Sequence, residues 1–226
     1  MLQMASATAT LVAGGRRFEP RLVREVQDVI TREQTSVARN ELDPLPLKRE
    51  HVELVMRAMY GVTQEGTSTR VFAGAPYKSM GKTGTAQAVG IKQNEKYNAA
   101  KLEEHQRDHS LYIAAAPLEE PSVALAVVVE NSGFGAEAAA PIARRVFDYL
   151  LLGLYPSEED IALTRQGKSS APVGTPRQAA DVPLPGQPGP IAGAPTPMGP
   201  TAPAPPNAPT RVAATAPAEA RTGAAR

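Results

Sequence analysis

Tyr77-Lys78-Ser79-Met80-Gly81-Lys82-Thr83-Gly84-Thr85-Ala86-Gln87-Ala88-Val89-Gly90 is the stretch on which the reading of this chain turns. Gly81 to Gly90 reads as a β-strand, and three chemistries compete for it. Gly81-Lys82-Thr83 has the ending of a phosphate-binding loop, but that motif needs a glycine five residues earlier. Position 76 is Pro76, which lacks the backbone N–H that such a loop offers to phosphate. Ser79-Met80-Gly81-Lys82 spells Ser-x-x-Lys, in which an amine one helical turn away activates a serine hydroxyl. Gly81 and the following Thr-Gly-Thr favour a strand instead, so Ser79 is not read as a nucleophile. The third reading takes the strand as it stands. Alternation puts Thr83 and Thr85 on one face, where their hydroxyls suit a carboxylate. Gly84 lets a backbone or ligand approach closely, and the N–H of Thr85 suits a developing oxyanion. Threonine is also a common strand former, so spacing alone leaves a plain structural role open.

Outward from this strand the pattern is α+β. Ser110 to Ala116 and Val123 to Glu130 are apolar and rich in β-branched residues, and the short connection Pro117 to Ser122 makes them an antiparallel hairpin. Val123 to Val129 is apolar at both parities, which predicts cover on both faces. Ala138 to Leu152 reads as a helix ended by Gly153. Its expected buried face is Ile142, Val146, Tyr149 and Leu150, with Arg144, Arg145 and Asp148 turned away. Upstream, Met1 to Ala13 and Glu50 to Tyr60 read as helices. Arg17 to Val29 reads as extended chain, Asp43 to Pro46 as a loop, and Gly61 to Tyr77 has no clear period.

Composition changes at Tyr155-Pro156. All ten aromatic residues lie at or before Tyr155, and 15 of the 22 prolines follow it. Residues 1–155 are long enough for a folded unit. Residues 156–226, rich in Pro and Ala, are expected to form a disordered tail with a frayed helical turn over Ser157 to Thr164. The net charge of +1 argues against nucleic-acid binding through a bulk field. There is no cysteine, so disulfides and thiolate metal sites are excluded. His105 and His109 stand four apart, but a polar surface segment is the better reading than a metal site. No metal and no cofactor are expected. No apolar run reaches the ~20 residues that span a bilayer, and the first residues lack the basic start of a signal peptide.

Lys82-Thr83-Gly84 is also one of three short motifs of the penicillin-recognising serine enzymes. The wording around it is more specific. Ala75-Pro76-Tyr77-Lys78, then Lys82 to Gly90 continuing through Lys92-Gln93-Asn94-Glu95-Lys96-Tyr97-Asn98, resembles the class B penicillin-binding proteins of the elongation type, penicillin-binding protein 2. So do Arg107-Asp108-His109, Ala115-Ala116-Pro117 and Val129-Glu130-Asn131. The resemblance covers about residues 1–154.

That resemblance implies a peptidoglycan D,D-transpeptidase of cell-wall elongation. Its fold is a penicillin-binding/serine β-lactamase-like transpeptidase fold, an antiparallel sheet with flanking helices. A serine attacks the D-Ala-D-Ala end of a stem peptide, and an amine of a neighbouring strand resolves the acyl-enzyme; β-lactams acylate the same serine. By motif, Lys82 supports the hydrogen-bond and proton network of the cleft. Thr83, Gly84 and Thr85 bind the substrate carboxylate, and the Thr85 N–H forms half of the oxyanion hole. The family works at the periplasmic face of the bacterial inner membrane. The other two motifs are Ser-x-x-Lys and Ser-x-Asn. Outside 79–82 the first does not occur here, and no serine stands two before an asparagine. The chain is therefore expected to be the C-terminal portion of a transpeptidase domain, with no nucleophile and little activity alone. It is also expected to expose a sheet face that a helical subdomain would cover. Its expected partners are the remaining N-terminal half and proteins of the elongation complex. A non-enzymatic interaction module, or a fragment of a D,D-carboxypeptidase or β-lactamase, are the alternatives.

Overall fold

The computed structural model describes residues 1–90, 97–168, 170–178 and 181–182. Residues 92–96 of the matching wording, and most of the expected tail, lie outside the described residues. At the centre is an antiparallel sheet of three strands: β5 (Met80–Ala86), β6 (His109–Ala116) and β7 (Val123–Val129), in the order β5-β6-β7. The register pairs Thr83 with Tyr112 and Thr85 with Ser110 across β5 and β6, and Tyr112 with Val127 across β6 and β7. The motif strand is thus an edge of the sheet. It ends at Ala86, four residues short of the expected Gly90.

Helices cover both faces. On one lie α3 (Thr69–Phe72) and α4 (Ala139–Leu152), sharing a core of Val71, Phe72, Tyr112, Ala114, Ala116, Ala139, Ala140, Ala143 and Phe147. On the other lie α1 (Leu2–Val12) and α2 (Arg49–Gln64), around Met59, Met80 and Ala115. Alternation along β7 explains its composition. Val123, Leu125, Val127 and Val129 pack toward α4. Ala124 packs toward α1 and α2, and Val128 on that side is 38% exposed. The sheet face expected to lie bare is therefore partly covered. The most exposed large apolar side chains lie elsewhere, at Leu22, Val29 and Ile30. These lie in and beside the small hairpin of β2 (Glu25–Gln27) and β3 (Gln34–Ser36). A second short pair, β1 (Arg17–Phe18) with β4 (Glu41–Leu42), leads into and out of this arm.

Helix α4 presents a different face from the one expected. Ala139, Ala140, Ala143, Arg144, Phe147 and Asp148 are buried, whereas Ile142, Tyr149 and Leu150 are exposed. Three alanines let the helix lie close to the sheet, with Phe147 as the large side chain of the contact. Arg144 and Asp148 go inward because both are satisfied there. Arg144 Nε donates to Asp148 at 2.9 Å, and its Nη1 donates to the carbonyls of Val71 and Ala73 at 3.1 and 3.3 Å. The Tyr77 hydroxyl donates to Asp148 at 2.7 Å. A buried pair held by this many bonds is tolerated where a lone charge is not.

Beyond Tyr155 the helical turn expected over Ser157 to Thr164 is present as a capped helix instead of a frayed one. β8 (Leu154–Tyr155) pairs with β9 (Arg177–Gln178), and α5 (Glu158–Arg165) lies between them. Ser157 caps α5 by accepting from the Asp160 N–H at 3.0 Å. Asp160 is buried and pairs with Arg145 of α4 through two bonds. The proline count hid this ion pair, which ties α5 to the body.

Candidate functional site

The motif lies on the exposed edge strand, in extended backbone. Lys82 and Thr85 are exposed, and Thr83 and Gly84 half-buried. Close packing demands glycine at Gly81, just ahead of Lys82, and at Gly135, which lies against Gly84. A Cβ at Gly81 would stand 2.2 Å from the Tyr112 hydroxyl. The room beside Gly84 is taken by another backbone: a Cβ on Gly135 would stand 2.7 Å from the Gly84 carbonyl oxygen and 2.3 Å from that of Leu111. The close approach expected at Gly84 is therefore filled on that side by the turn that leads into α4.

The direction of the backbone groups follows from the ladder. Residues of an antiparallel pair alternate between those that bond the partner and those whose N–H and C=O point away. Asp108, just before β6, and Ala116 at its end turn their carbonyls away from β5, to Gly133 N at 2.9 Å and Ser122 N at 3.1 Å. Ser110, Tyr112 and Ala114 share that parity. Their partners Thr85, Thr83 and Gly81 therefore point N–H and C=O at the open edge of β5. The Thr85 N–H faces outward, as an oxyanion donor must.

Lys82 joins the same edge. Alternation sends its Cβ to the face opposite Thr83, yet its Nζ donates to the Thr83 carbonyl at 2.7 Å. The long side chain curls round to the open edge. An ammonium and a backbone N–H thus share this edge, with the Thr83 hydroxyl on the same strand, a set that suits an anion.

Thr83 has a partner that the sequence did not single out. Its Oγ1 lies 3.0 Å from Thr67 Oγ1, in the turn before α3. The next residue, Ser68, is buried, and its Oγ lies 2.9 Å from the Tyr112 hydroxyl. Burial pushes the Tyr112 phenol up to about 12, and the Ser68 bond pulls the other way. Arg144 holds the chain just beyond, at the carbonyls of Val71 and Ala73. Burial, followed by the hydrogen bond to Asp148, likewise raises the Tyr77 phenol.

The remaining candidates fall away from this edge. Ser79 is buried just ahead of β5, outside any helix, and its carbonyl accepts from Thr63 Oγ1 at 2.8 Å. It is not one helical turn from Lys82. His105 lies in an exposed 3-10 turn, while His109 opens β6 and its Nδ1 accepts from the Asn131 N–H at 3.0 Å. The two do not share a helix face, and the described residues hold no cluster of three metal-ligating side chains. No helix among the described residues is long and apolar enough to cross a membrane.

Comparison with known proteins agrees with this architecture. Residues 1–148 match the penicillin binding protein transpeptidase domain. The chain is 36% identical over 175 residues to the peptidoglycan D,D-transpeptidase MrdA of Haemophilus influenzae, covering 74% of this chain and 26% of that protein. It is 47% identical over 103 residues to MrdA of Escherichia coli K12, covering 45% of this chain and 16% of that protein. Among solved structures, PBP2 of Pseudomonas aeruginosa superposes with a TM-score of 0.51 at 28% identity, over 67% of this chain and 30% of that one. The ceftriaxone acyl-enzyme complex of penicillin-binding protein A from Mycobacterium tuberculosis gives 0.51 at 27% identity, over 65% and 31%. The chain spans about a quarter or less of the length of these curated relatives. On the extent of the domain match and the three-stranded sheet that carries its motif at an open edge, the chain belongs to the penicillin-binding protein transpeptidase domain family.

Proposed function

We propose that this chain provides the carboxylate-binding strand of a peptidoglycan D,D-transpeptidase, and that its ligand is the D-Ala-D-Ala end of a stem peptide. The observation that carries the reading is that Lys82 Nζ and the Thr85 N–H share the open edge of β5, with the Thr83 hydroxyl of the same strand beside them. The peptide lies along that edge. Thr83 and Thr85 hydroxyls and the Lys82 ammonium hold the terminal carboxylate. The Thr85 N–H donates to the oxygen of the scissile carbonyl as negative charge develops on it during serine attack. The C–N bond to the terminal residue breaks, D-alanine leaves with a proton, and the acyl-enzyme passes to an amine. β-Lactams present a carboxylate and a strained carbonyl to the same groups. The work takes place at the periplasmic face of the membrane.

We further infer that the attacking serine is supplied by polypeptide outside these 226 residues, because no other Ser-x-x-Lys occurs in the sequence and Ser79 is buried ahead of β5, outside any helix. The sequence expectation of little activity alone rests on this. The test is labelling by a fluorescent penicillin. The chain alone should stay unlabelled, and mixing it with a separately expressed N-terminal half of a transpeptidase domain should restore labelling. Labelling of the chain alone would overturn the inference about the serine. A second reading, an interaction module, has one observation in its favour: both edges of the described sheet are open to strand pairing. Complex formation without restored labelling would favour it.

A further inference from the structure

We propose that Thr67 is a positioning residue for the carboxylate site, favouring a charged carboxylate over a neutral peptide end by donating to the Thr83 hydroxyl and so leaving the Thr83 proton for the anion. The inference rests on the reading of β5 given above and adds a residue outside the motif. Thr67 Oγ1 and Thr83 Oγ1 are 3.0 Å apart, and either can donate. A hydroxyl has one proton to give. A carboxylate only accepts, so a bound carboxylate takes the Thr83 proton. The bond between the two threonines must then run from Thr67 to Thr83. Donation by Thr67 also polarises the Thr83 hydroxyl and strengthens its bond to the anion, as in any hydrogen-bonded chain.

Thr67 can act this way because its turn is fixed while its side chain is not enclosed. The Ser68 N–H donates to the Val62 carbonyl at 3.1 Å, and Ser68 Oγ meets the Tyr112 hydroxyl at 2.9 Å. A Cβ at Gly66 would stand 2.7 Å from Val62 Cα, so the turn closes tightly on α2. Arg144 holds the carbonyls of Val71 and Ala73 on the far side. Thr67 itself is exposed, so ligand and solvent reach the pair.

The experiment compares two probes on the full 226-residue chain: diacetyl-L-Lys-D-Ala-D-Ala and the same peptide ending in a carboxamide. Amide shifts of Thr83, Gly84 and Thr85 report binding by NMR. The wild type should prefer the carboxylate. Thr67→Val, which keeps the shape and removes the donor, should lose about five- to tenfold of that preference, the scale of roughly one hydrogen bond. Thr67→Ser should restore it, and Thr67→Ala, which cannot wedge the turn, should behave as Thr67→Val does. Equal weakening of both probes, or an unchanged ratio, would overturn the role of Thr67 while leaving the site intact. A wild-type chain that binds neither probe, or binds both alike, would overturn the carboxylate site itself and this inference with it.

Discussion

Gly81 and Thr83 are neighbours with opposite sensitivities, and the reason is where each side chain would go. A methyl group at Gly81 would enter space held by the buried Tyr112 hydroxyl, 2.2 Å away. Tyr112 is held in turn by Ser68, so it has little room to yield. Gly81→Ala should therefore lower unfolding stability by about 1–3 kcal/mol, the usual cost of overpacking, as read from the urea midpoint. Thr83→Val changes shape little at a half-buried edge position and removes a hydroxyl that faces the proposed ligand. Its urea midpoint should stay near the wild type. Its affinity for diacetyl-L-Lys-D-Ala-D-Ala should fall about ten- to a hundredfold, as expected for a hydrogen bond to a charged group. A Thr83→Val chain that binds as well as wild type would remove Thr83 from the site.

Among the elements, α4 separates what the sequence reveals from what it conceals. Strands β6 and β7 were legible because two mostly apolar runs of strand length lie between turn signals, and the short link Pro117 to Ser122 left one way to pair them; β5 was legible through Gly81 and Thr-Gly-Thr, which disfavour a helix. Once β5 is a strand, alternation places Thr83 and Thr85 at the same parity. On α4 the same weighing of apolar residues chose Ile142, Tyr149 and Leu150, which are exposed, over alanines and an ion pair, which are buried. The deciding partners of Arg144, at Val71 and Ala73, lie about seventy positions away in sequence, where periodicity has no reach. Thr67 was hidden likewise: it sits in an aperiodic stretch and matters through a residue 16 positions on. The two faces of α4 should respond accordingly. Asp148→Ala strands the buried Arg144 guanidinium and should cost about 3–5 kcal/mol. Leu150→Gln on the exposed face should stay within about 0.5 kcal/mol. Thermal or urea unfolding of the pair checks both, and equal costs would return Leu150 to the core.

At the scale of the whole molecule, stability should fall at high pH, because two buried phenols tie the layers together. Tyr112 joins β6 to the turn before α3 through Ser68, and Tyr77 joins the start of the motif strand to α4 through Asp148. Burial favours the neutral phenol in both. For Tyr112 the folded value is about 12 against an ordinary value of 10.0. Below pH 10 the phenol is protonated in both states, and its stabilising share is fully present. Between about pH 10 and 12 the unfolded chain releases the proton while the folded chain keeps it, so unfolding gains and stability falls. The loss attributable to Tyr112 is on the order of 2–3 kcal/mol, and the upward shift of Tyr77 adds to it in the same direction. Urea midpoints measured from pH 8 to 12 should be level at first and then decline above about 10. Tyr112→Phe starts from a lower midpoint, because the buried hydrogen bond between the phenol and Ser68 is lost, and then declines less steeply across that window. An equal decline in the variant would place the alkaline sensitivity elsewhere.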